Sequence, residues 1–274
     1  MLVFLKLGGS LITDKRIENS FRETVAVRVA DEIASALRQN EDLQLLVGHG
    51  SGSFGHVVAS RYRTIDGVRS ADEWRGFARV ATVAAQLNYL LANVLQARGV
   101  PVWRMQPSAS AVSRDGVLSK LAHEPIRQAL VHRLVPLVYG DVSLDEIRGG
   151  TIISTETIFF YLARYLPVDR IFLLGEVDGV YDEHGEIISQ ITPETLPQVE
   201  QALGGSSGTD VTGGMETKVR DMLALAHELP RLAIRIFNGT TPGLIEAALL
   251  GEEKPGTLIC ADADPTDPPR DSLS

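Results

Sequence analysis

Short runs of consecutive apolar residues alternate along this chain with longer segments in which apolar residues recur at helical spacing. The apolar runs have the length and composition of buried strands, and they cover 2–5, 43–47, 100–103, 134–139, 170–174, 232–237 and 257–260. The segments with helical periodicity cover 25–37, 77–95, 158–166, 215–229 and 242–250. Alternation of this kind predicts an α/β fold with a mainly parallel sheet and helices on both faces.

A glycine-rich loop at 47–56 follows the second apolar run. It contains four glycines, two serines, and the histidines His49 and His56. Glycine lets backbone N–H groups approach a ligand closely, and N–H groups at such a turn form a binding site for anions. The loop therefore predicts an anion site, although a tight turn without any ligand would have the same composition.

Further glycine turns follow other apolar runs. Gly8 and Gly9 come after the first run, where Lys6 precedes them and Lys15 follows shortly after. Gly175 ends the run at 170–174, and a loop rich in glycine and threonine at 206–214 precedes Lys218. The carboxyl ends of parallel strands meet at one sheet edge, where α/β proteins bind ligands. Backbone donors together with lysines are what phosphoryl transfer requires.

Several common sites are excluded by spacing. The chain lacks G-x-x-x-x-G-K-[ST], so it is not a P-loop protein. The segment 50–55 matches G-x-G-x-x-G but lies after the second predicted strand, so a dinucleotide-binding fold is poorly supported. Cysteine and histidine do not cluster at zinc spacing, and Ser51 and Ser53 are not in a G-x-S-x-G elbow.

Composition narrows the choice of partner. The chain has 274 residues and a formal net charge of −9. That net charge argues against nucleic acid or an anionic membrane surface as a partner, because both bind proteins that have an excess of lysine and arginine. A small phosphorylated ligand stays possible, since it needs only a few local cations.

The expected location is the cytoplasm. A single cysteine, Cys260, follows two apolar residues, which predicts a buried structural thiol in a reducing compartment. No apolar run approaches the ~20 residues of a membrane span. The apolar start at 1–7 contains Lys6 and lacks a cleavage site, which favours a first strand over a signal peptide. The segment 261–274, with its prolines and aspartates, is predicted to be disordered.

Three segments together are similar to motifs of the amino acid kinase family. They are Lys6-Leu-Gly-Gly-Ser10, Gly175-Glu-Val-Asp-Gly-Val-Tyr181 and Asp210-Val-Thr-Gly-Gly-Met-Glu-Thr-Lys218. The glycine loop with His56, together with Lys15, makes the chain resemble the isopentenyl phosphate kinases within that family. The resemblance covers about residues 2–260, and the motifs stand in the order that the family shows.

The resemblance implies a fold and an activity. The fold is a three-layer αβα sandwich around a mainly parallel sheet of about eight strands. Residues 1–166 would form a lobe for the phosphoryl acceptor, and residues 167–260 a lobe for ATP. The implied activity is ATP- and Mg²⁺-dependent phosphorylation of isopentenyl phosphate to isopentenyl diphosphate, in isoprenoid biosynthesis, by direct in-line transfer in a homodimer. No residue is assigned as a direct ligand of the metal.

The resemblance also implies roles for individual residues. The residues expected to be catalytic are Lys6, Lys15, His56, Glu156 and Lys218. Lys15 would stabilise the transition state, His56 would donate to the acceptor phosphate, and Glu156 would orient the catalytic lysines. The residues expected along ATP are Lys6, Gly8, Gly9, Ser10, Gly52, Asp178, Tyr181, Gly214 and Lys218. Those expected at the acceptor are Gly50, Ser51, His56 and Thr155.

The chain departs from the family pattern at three places. Ser51 replaces the usual glycine, and Ser154-Thr155-Glu156 replaces the usual Ser-Gly-Asp. Gly175 and Glu176 stand where the family has threonine and aspartate. Glu156 keeps the negative charge with a longer reach, whereas Thr155 narrows the approach of the backbone to the acceptor. These changes affect the expected contacts with the substrates and leave the expected fold unchanged.

The same residues have structural interpretations. Lys6, Lys15 and Lys218 could be solvated lysines, Asp178 and Asp210 could stabilise turns, and Glu156 could be an N-terminal helix charge. Of the two histidines, His49 is predicted to support the loop and His56 to take part in the chemistry. The alternative functions are a phosphonate kinase of the fosfomycin type, a kinase for carboxylates or UMP, and a non-catalytic nucleotide-binding regulator or storage protein.

Overall fold

The computed structural model describes residues 1–14, 16–203 and 215–261. The helices of this part are α1 Gly9–Ile12, α2 Glu23–Gln39, α3 Gly52–Tyr62, α4 Ala71–Ala97, α5 Glu124–Val131, α6 Thr155–Ala163, α7 Leu196–Leu203, α8 Met215–Glu228 and α9 Leu244–Leu250. The strands are β1 Leu2–Leu7, β2 Gln44–His49, β3 Val102–Arg104, β4 Val112–Arg114, β5 Val117–Lys120, β6 Val135–Tyr139, β7 Asp141–Asp145, β8 Gly149–Ile153, β9 Arg170–Gly175, β10 Gln190–Ile191, β11 Ala233–Asn238 and β12 Thr257–Ile259.

Eight strands of the described residues form the main sheet, in the order β10-β12-β11-β9-β1-β2-β6-β3. Neighbouring strands run parallel except for the pair β11–β12. The central strands are apolar along their whole length, as expected for strands covered on both faces. Parallel pairing brings the carboxyl ends of β1, β2 and β9 to one edge, where their glycine turns become neighbours.

Strand β1 shows how the sheet separates two cores. Its residues alternate between faces, as in any strand. Val3, Leu5 and Leu7 belong to a core formed with α1, α2, α3, α4 and α9. Leu2 and Phe4 belong to a core on the opposite face, formed with α5, α6, α7 and α8. The three-layer αβα architecture is therefore confirmed, and Lys6 lies on the same face as Phe4 and helix α6.

A second sheet contains four strands of the described residues, in the order β5-β4-β7-β8. It is antiparallel except for the pair β4–β7. Strand β7 begins at Asp141, directly after β6 ends at Tyr139. The short strands of this sheet, with α5 and α7, were not among the elements expected from the apolar pattern, because brief half-exposed strands carry little periodicity.

Some helix boundaries differ from the predictions. Helix α4 begins at Ala71 rather than residue 77, because Ser70 and Glu73 form a capping box. Helix α3 extends to Tyr62, and a short 3₁₀ turn covers Thr64–Asp66 between α3 and α4. Helix α6 begins at Thr155, so the expectation of a helix from residue 158 placed its start three residues late.

Ser154 caps the N-terminus of α6. Its hydroxyl accepts a hydrogen bond from the backbone N–H of Thr157 at 3.0 Å. The cap places Thr155 and Glu156 in the first helical turn, where the helix dipole favours a negative charge. None of the described helices is both long and apolar enough to cross a bilayer.

Candidate active site

A cavity of about 830 Å³ lies at the edge of the main sheet where β1, β2 and β9 end. Its centre is polar and is lined by the glycine turns together with Lys6, Glu156 and Lys218. One end is lined by α3, the 3₁₀ turn that follows it, α4 and β8, and it combines aliphatic side chains with Arg63, Asp66 and Asp141. The other end is formed by β9, the turn that follows it, and residues of α8 and β11. The cavity can therefore hold an anionic group between two different ends.

The glycine turns after β1 and β2 are in direct backbone contact. A Cβ atom at Gly9 would lie 2.6 Å from the backbone nitrogen of Gly52, and one at Gly8 would lie 2.5 Å from the carbonyl oxygen of Leu174. Both distances are shorter than any side chain allows. This close approach leaves the backbone groups of neighbouring turns lining one cavity, as an anion site requires.

Thr13 joins the two turns. Its hydroxyl donates to the carbonyl oxygen of Gly9 at 2.6 Å and accepts from the backbone N–H of Ser53 at 3.0 Å. Gly52 has a φ of +49°, and a Cβ atom there would lie 2.1 Å from the Thr13 hydroxyl oxygen. Glycine is required at position 52 for both its backbone conformation and its contact with Thr13. The sequence motif gave no reason to single out Thr13.

Lys6 and Glu156 form an ion pair at the centre of the cavity, although 150 residues separate them in sequence. Lys6 lies near the carboxyl end of β1, on the face of the sheet that α6 covers. It reaches Glu156 because the N-terminus of α6 lies beside that end of the strand. Their side chains are 15% and 17% exposed, so the pair faces the cavity while being largely shielded from bulk water. The expectation that Glu156 contacts a catalytic lysine is consistent with this geometry.

The pKa of Glu156 is set by opposing effects. Burial, the largest effect, raises it, but the charge and hydrogen bond of Lys6, a backbone hydrogen bond and the charge of Lys218 together lower it below the ordinary value. Glu156 is therefore ionised at neutral pH. Lys218 lines the same cavity from the second turn of α8. The structure thus brings Lys6, Glu156 and Lys218 together, as the motifs predicted.

His49 is fully buried beneath the glycine loop. Its Nδ1–H donates to the carbonyl oxygen of Gly50 at 3.0 Å, and its Nε2 accepts from the side-chain amide of Asn88 at 3.1 Å. Its ring stacks on Tyr139, with the two centroids 5.6 Å apart. Burial, opposed only in part by the bond to Gly50, lowers the pKa of His49 to about 4. The interpretation of His49 as a neutral support of the loop is confirmed by these contacts.

The support continues away from the cavity. Asn88 on α4 accepts from the Nε–H of Arg104 at 2.8 Å, and the guanidinium of Arg104 lies over the ring of Tyr89. Asn88 is buried in the apolar stripe of α4, where a polar residue needs hydrogen-bond partners. A polar residue within the apolar stripe of a predicted helix was the signal in the sequence that could have revealed this network.

The first turn of α3 contains the predicted acceptor residues. Ser51 precedes the helix, and a Cβ atom at Gly55 would lie 2.4 Å from Cβ of Ser51, so residue 55 must be glycine. Gly50, Ser51, Gly52 and Gly55 all line the cavity. His56 lies on the same turn of helix, but its side chain is outside the described part of the structure, so its contact with an acceptor stays a prediction.

Thr155 lines the cavity, but its hydroxyl is already hydrogen-bonded within the protein. Its hydroxyl donates to the carbonyl oxygen of His49 at 2.6 Å. Its methyl group lies over Gly48, where a Cβ atom would approach it to 2.6 Å. Thr155 therefore ties α6 to β2. The predicted role of Thr155 at the acceptor remains a prediction that rests on its backbone and methyl group.

The apolar end of the cavity is a pocket whose residues could not be chosen from the sequence. The structure places Val80 and Ala84 of α4 on the cavity, opposite Ala59, Ile65 and Ile152. Asp141 also reaches this end; burial raises its pKa, and it accepts hydrogen bonds from the backbone N–H groups of Ser108 and Val142.

At the opposite end, the turn after β9 holds Asp178 and Tyr181, which were predicted to contact the nucleotide but are not among the described residues that line the cavity. Glu176 and Val177 line the cavity. Asp178 and Tyr181 lie in the same turn, where the Tyr181 hydroxyl donates to Asp178 at 3.0 Å. Asn238, at the end of β11, donates to the other carboxylate oxygen of Asp178 at 2.8 Å. Asn238 was not predicted to take part, although it follows an apolar run at the same sheet edge.

The remaining predicted site residues fall outside the described part of the chain. They are Lys15, Asp210 and Gly214, together with the tail beyond residue 261. Ser10 lines the cavity within α1, next to Gly9. Among the described residues, no group of three or more histidine, cysteine, aspartate or glutamate residues could hold a metal ion.

Comparison with known proteins points to one family. The model of the amino acid kinase family matches residues 1–238. The chain is 34% identical over 265 residues to the isopentenyl phosphate kinase of Methanocaldococcus jannaschii, covering 94% of this chain and 98% of that protein. It is 36% identical over 269 residues to the isopentenyl phosphate kinase of Methanothermobacter thermautotrophicus, with the same coverage.

A solved structure gives the same comparison in three dimensions. The chain superimposes on a crystal structure of an isopentenyl phosphate kinase with a TM-score of 0.80 and 32% sequence identity. The superposition covers 94% of this chain and 100% of the other. The likeness therefore includes both ends of the cavity and the main sheet between them.

The low pKa of His49 predicts how stability depends on pH. The unfolded chain binds a proton to this residue near pH 6.5, whereas the folded protein does so near pH 4. The free energy of unfolding should therefore decrease as the pH falls from 6.5 to 4, by about 3 kcal/mol from this residue. Urea unfolding across this pH range measures the effect.

Two variants make the assignment specific. His49→Gln should reduce the slope of stability against pH in this range. His184→Gln, which removes a histidine that is 77% exposed, should leave the slope unchanged. An unaltered slope in His49→Gln would show that other groups cause the pH dependence.

Proposed function

The chain belongs to the amino acid kinase family, and on that basis we propose that it transfers the γ-phosphoryl group of ATP to isopentenyl phosphate. The products are isopentenyl diphosphate and ADP. The observation that supports this most directly is the form of the cavity. A polar centre with Lys6 and Glu156 lies between a pocket with aliphatic walls and a second end formed by β9, the turn after it and α8.

The proposed acceptor matches the apolar end. Isopentenyl phosphate has one phosphate and a branched hydrocarbon tail that offers no hydrogen bonds. Val80, Ala84 and Ile152 present aliphatic side chains to the cavity, and burying such a tail against them is favourable by about 25 cal/mol per Å². The phosphate would then lie at Ser51 and Gly52, at the N-terminus of α3, where the helix dipole favours an anion.

The proposed chemistry requires charge compensation. Two phosphate groups must approach each other, and unit charges about 4 Å apart repel by about 4 kcal/mol even at the effective dielectric of a protein surface. Lys6 lies between the two ends and is held in place by Glu156. The glycine turns add backbone N–H groups that need no reorganisation during the reaction. Direct in-line transfer needs no covalent intermediate on the protein.

ATP would enter as the second substrate, with Mg²⁺ bound to its phosphates. The glycine turns fit phosphates, since Gly8, Gly9 and Gly52 line the cavity with backbone and carry no side chain. Mg²⁺ commonly keeps several waters and binds through substrate phosphates with few protein ligands. Its chemistry would be neutralisation of the phosphate charge, while Lys6 and Lys218 supply the charge that the protein itself contributes.

The alternative functions are less well supported. A small phosphonate with an epoxide, as in a fosfomycin-type kinase, would not need an aliphatic wall of this kind. A kinase for carboxylates or for UMP would need polar groups in place of Val80 and Ala84. A non-catalytic regulator would not need the Lys6–Glu156 pair facing the cavity.

We further propose the division of labour and the location expected from the motifs. Residues 1–166 would bind the acceptor, consistent with the position of the apolar pocket. Residues 167–260 would bind ATP, consistent with Glu176 and Val177 at the opposite end. The protein would act in the cytoplasm, where the buried thiol of Cys260 stays reduced.

The activity can be tested directly. Purified protein with ATP, Mg²⁺ and isopentenyl phosphate should release ADP and form isopentenyl diphosphate, detected by mass spectrometry. A panel containing fosfomycin, N-acetylglutamate and UMP provides the comparison. Turnover of one of these acceptors without turnover of isopentenyl phosphate would contradict the proposal.

His56 provides a second test. His56→Ala should reduce kcat by about 100-fold, because it removes a proposed donor to phosphate oxygens that gain charge in the transition state. The dissociation constant for ATP should change little. His184→Ala is the matched control at an exposed position. Unchanged kcat in His56→Ala would remove this residue from the mechanism.

The apolar pocket predicts acceptor selectivity. Val80→Phe should fill the pocket and raise KM for isopentenyl phosphate at least about tenfold, because an added ring overpacks the space for the tail. KM for ATP should stay unchanged, which also reports that the fold persists. Val117→Phe places the same change at a position 69% exposed on β5 and should have no effect. Equal KM values in both variants would place the tail elsewhere.

A homodimer is also proposed. Strand β3 forms one edge of the main sheet, and its Trp103 is 47% exposed. Unprotected edges with exposed aromatic residues favour pairing with a second copy. Analytical ultracentrifugation should give the mass of a dimer, and Trp103→Glu should shift it towards the monomer. A monomeric wild-type protein would contradict the proposal.

A further inference from the structure

The chain between α1 and α2 forms a hairpin of residues 13–22. Thr13 and Phe21 form a β-bridge, and the backbone N–H of Asp14 donates to the carbonyl oxygen of Ser20 at 3.2 Å. The hairpin returns to α1 where the N–H of Arg22 donates to the carbonyl oxygen of Ile12 at 2.8 Å. Lys15, in this segment, lies outside the described residues.

One side of the hairpin is attached to helix α3. The backbone N–H of Ser20 donates to Oγ of Ser53 at 3.2 Å, and that of Asn19 donates to the carbonyl oxygen of Ser53 at 3.5 Å. Ser53 follows Gly52 in the first turn of α3 and also donates to Thr13. The hairpin is therefore held to the segment that lines the acceptor side of the cavity.

The other side is attached to the turn after β9. Nη1 of Arg22 donates to Oε1 of Glu176 at 2.6 Å. Glu176 lines the nucleotide end of the cavity. The contact joins residues 154 positions apart, and it links the hairpin to a part of the molecule other than α3. The hairpin thus lies between the two sides of the site.

The hairpin carries further charges near this pair. Arg16 binds Asp14 through two contacts, of 3.0 Å at Nε and 2.7 Å at Nη2. The hydrogen bond from Arg16, with a smaller contribution from the charge of Arg22, holds the pKa of Asp14 well below its ordinary range. Asp14 therefore stays negatively charged between two arginines, and the positive charge of Arg22 faces Asp14 as well as Glu176.

We propose that Arg22 and Glu176 are positioning residues for the transfer reaction. Their ion pair fixes the hairpin against the nucleotide end of the cavity, so that nucleotide binding at Glu176 and Val177 sets the position of the hairpin relative to the acceptor side. This inference rests on the proposed kinase activity. It assigns to these two residues a role in geometry rather than a contact with the reacting atoms.

The Arg22–Glu176 ion pair should affect the transfer rate more than the stability of the fold. Both side chains are partly exposed, at 31% and 43%, and such ion pairs contribute little to stability. Transfer rates, by contrast, respond strongly to small displacements of groups around the reacting phosphates. A pair that joins two sides of a site should therefore affect kcat much more than it affects unfolding.

A double-mutant cycle tests this prediction. Arg22→Met and Glu176→Gln keep the approximate size of each side chain but remove its charge. Each should reduce kcat by about tenfold and raise KM for the acceptor by less. The double variant should lose no more than either single variant, because residues that act as one unit give non-additive effects. The melting temperature should change no more than in the control described next.

Arg98→Met is the matched control. Arg98 on α4 binds Asp31 on α2 through contacts of 2.5 and 2.8 Å, with side-chain exposures of 44% and 46%, so the pair is similar in exposure to Arg22–Glu176. It does not line the cavity. Its loss should leave kcat unchanged. Equal kcat in Arg22→Met and Arg98→Met, or additive losses in the double variant, would overturn the positioning role.

A measurement without turnover separates this inference from the proposed function. A non-hydrolysable ATP analogue with Mg²⁺ should slow amide hydrogen exchange at Asp14, Ser20 and Arg22 in the wild-type protein. The slowing should be several-fold smaller in Arg22→Met and intact in Arg98→Met. Bound analogue without any slowing at these amides would overturn the inference. Failure of the wild-type protein to bind the analogue would instead contradict the proposed kinase function.

Discussion

The close approach of two glycine turns is the constraint on which the rest of the site depends. Parallel pairing of β1 with β2 places Gly9 against Gly52, and no side chain fits between them. Thr13 then bonds to both turns. A surface of backbone N–H groups at one sheet edge follows from this contact, since glycines at these positions leave the groups uncovered. The catalytic side chains are arranged around this surface rather than forming it.

Beside this surface of backbone N–H groups, the positive charge of Lys6 is paired with the carboxylate of Glu156. The cavity needs cations to offset several phosphate charges, but an unpaired lysine shielded from water is costly. Glu156 resolves this conflict by pairing with Lys6 while remaining ionised. Buried ion pairs rarely add stability, so its presence in the cavity is better explained by the position that it gives to Lys6. The order of the elements makes this possible, because α6 starts at Thr155, beside the end of β1.

The sequence predicted those features that depend on local pattern. The apolar runs located most strands of the main sheet, and the segments with helical periodicity located helices α2, α8 and α9. Contacts between residues that are distant in sequence could not be predicted from the apolar pattern. Asn88 bonds to His49 across 39 residues, and Asn238 bonds to Asp178 across 60; the local pattern does not identify the partner of either asparagine. The second sheet escaped prediction because strands as short as Val112–Arg114 are stabilised by their neighbours more than by their own composition.

Thr155 shows how such long-range contacts change the interpretation of a substitution. From the sequence, a threonine in place of the usual glycine seemed to narrow the acceptor site. In the structure, its methyl group packs over Gly48 and its hydroxyl donates to the carbonyl oxygen of His49. The ring of the same residue, His49, donates from Nδ1 to the carbonyl oxygen of Gly50. Because the hydroxyl is satisfied within the protein, Thr155 offers the acceptor only its methyl group and backbone. The substitution therefore strengthens the attachment of α6 to β2, and with it the position of Glu156, more than it alters the polarity of the pocket.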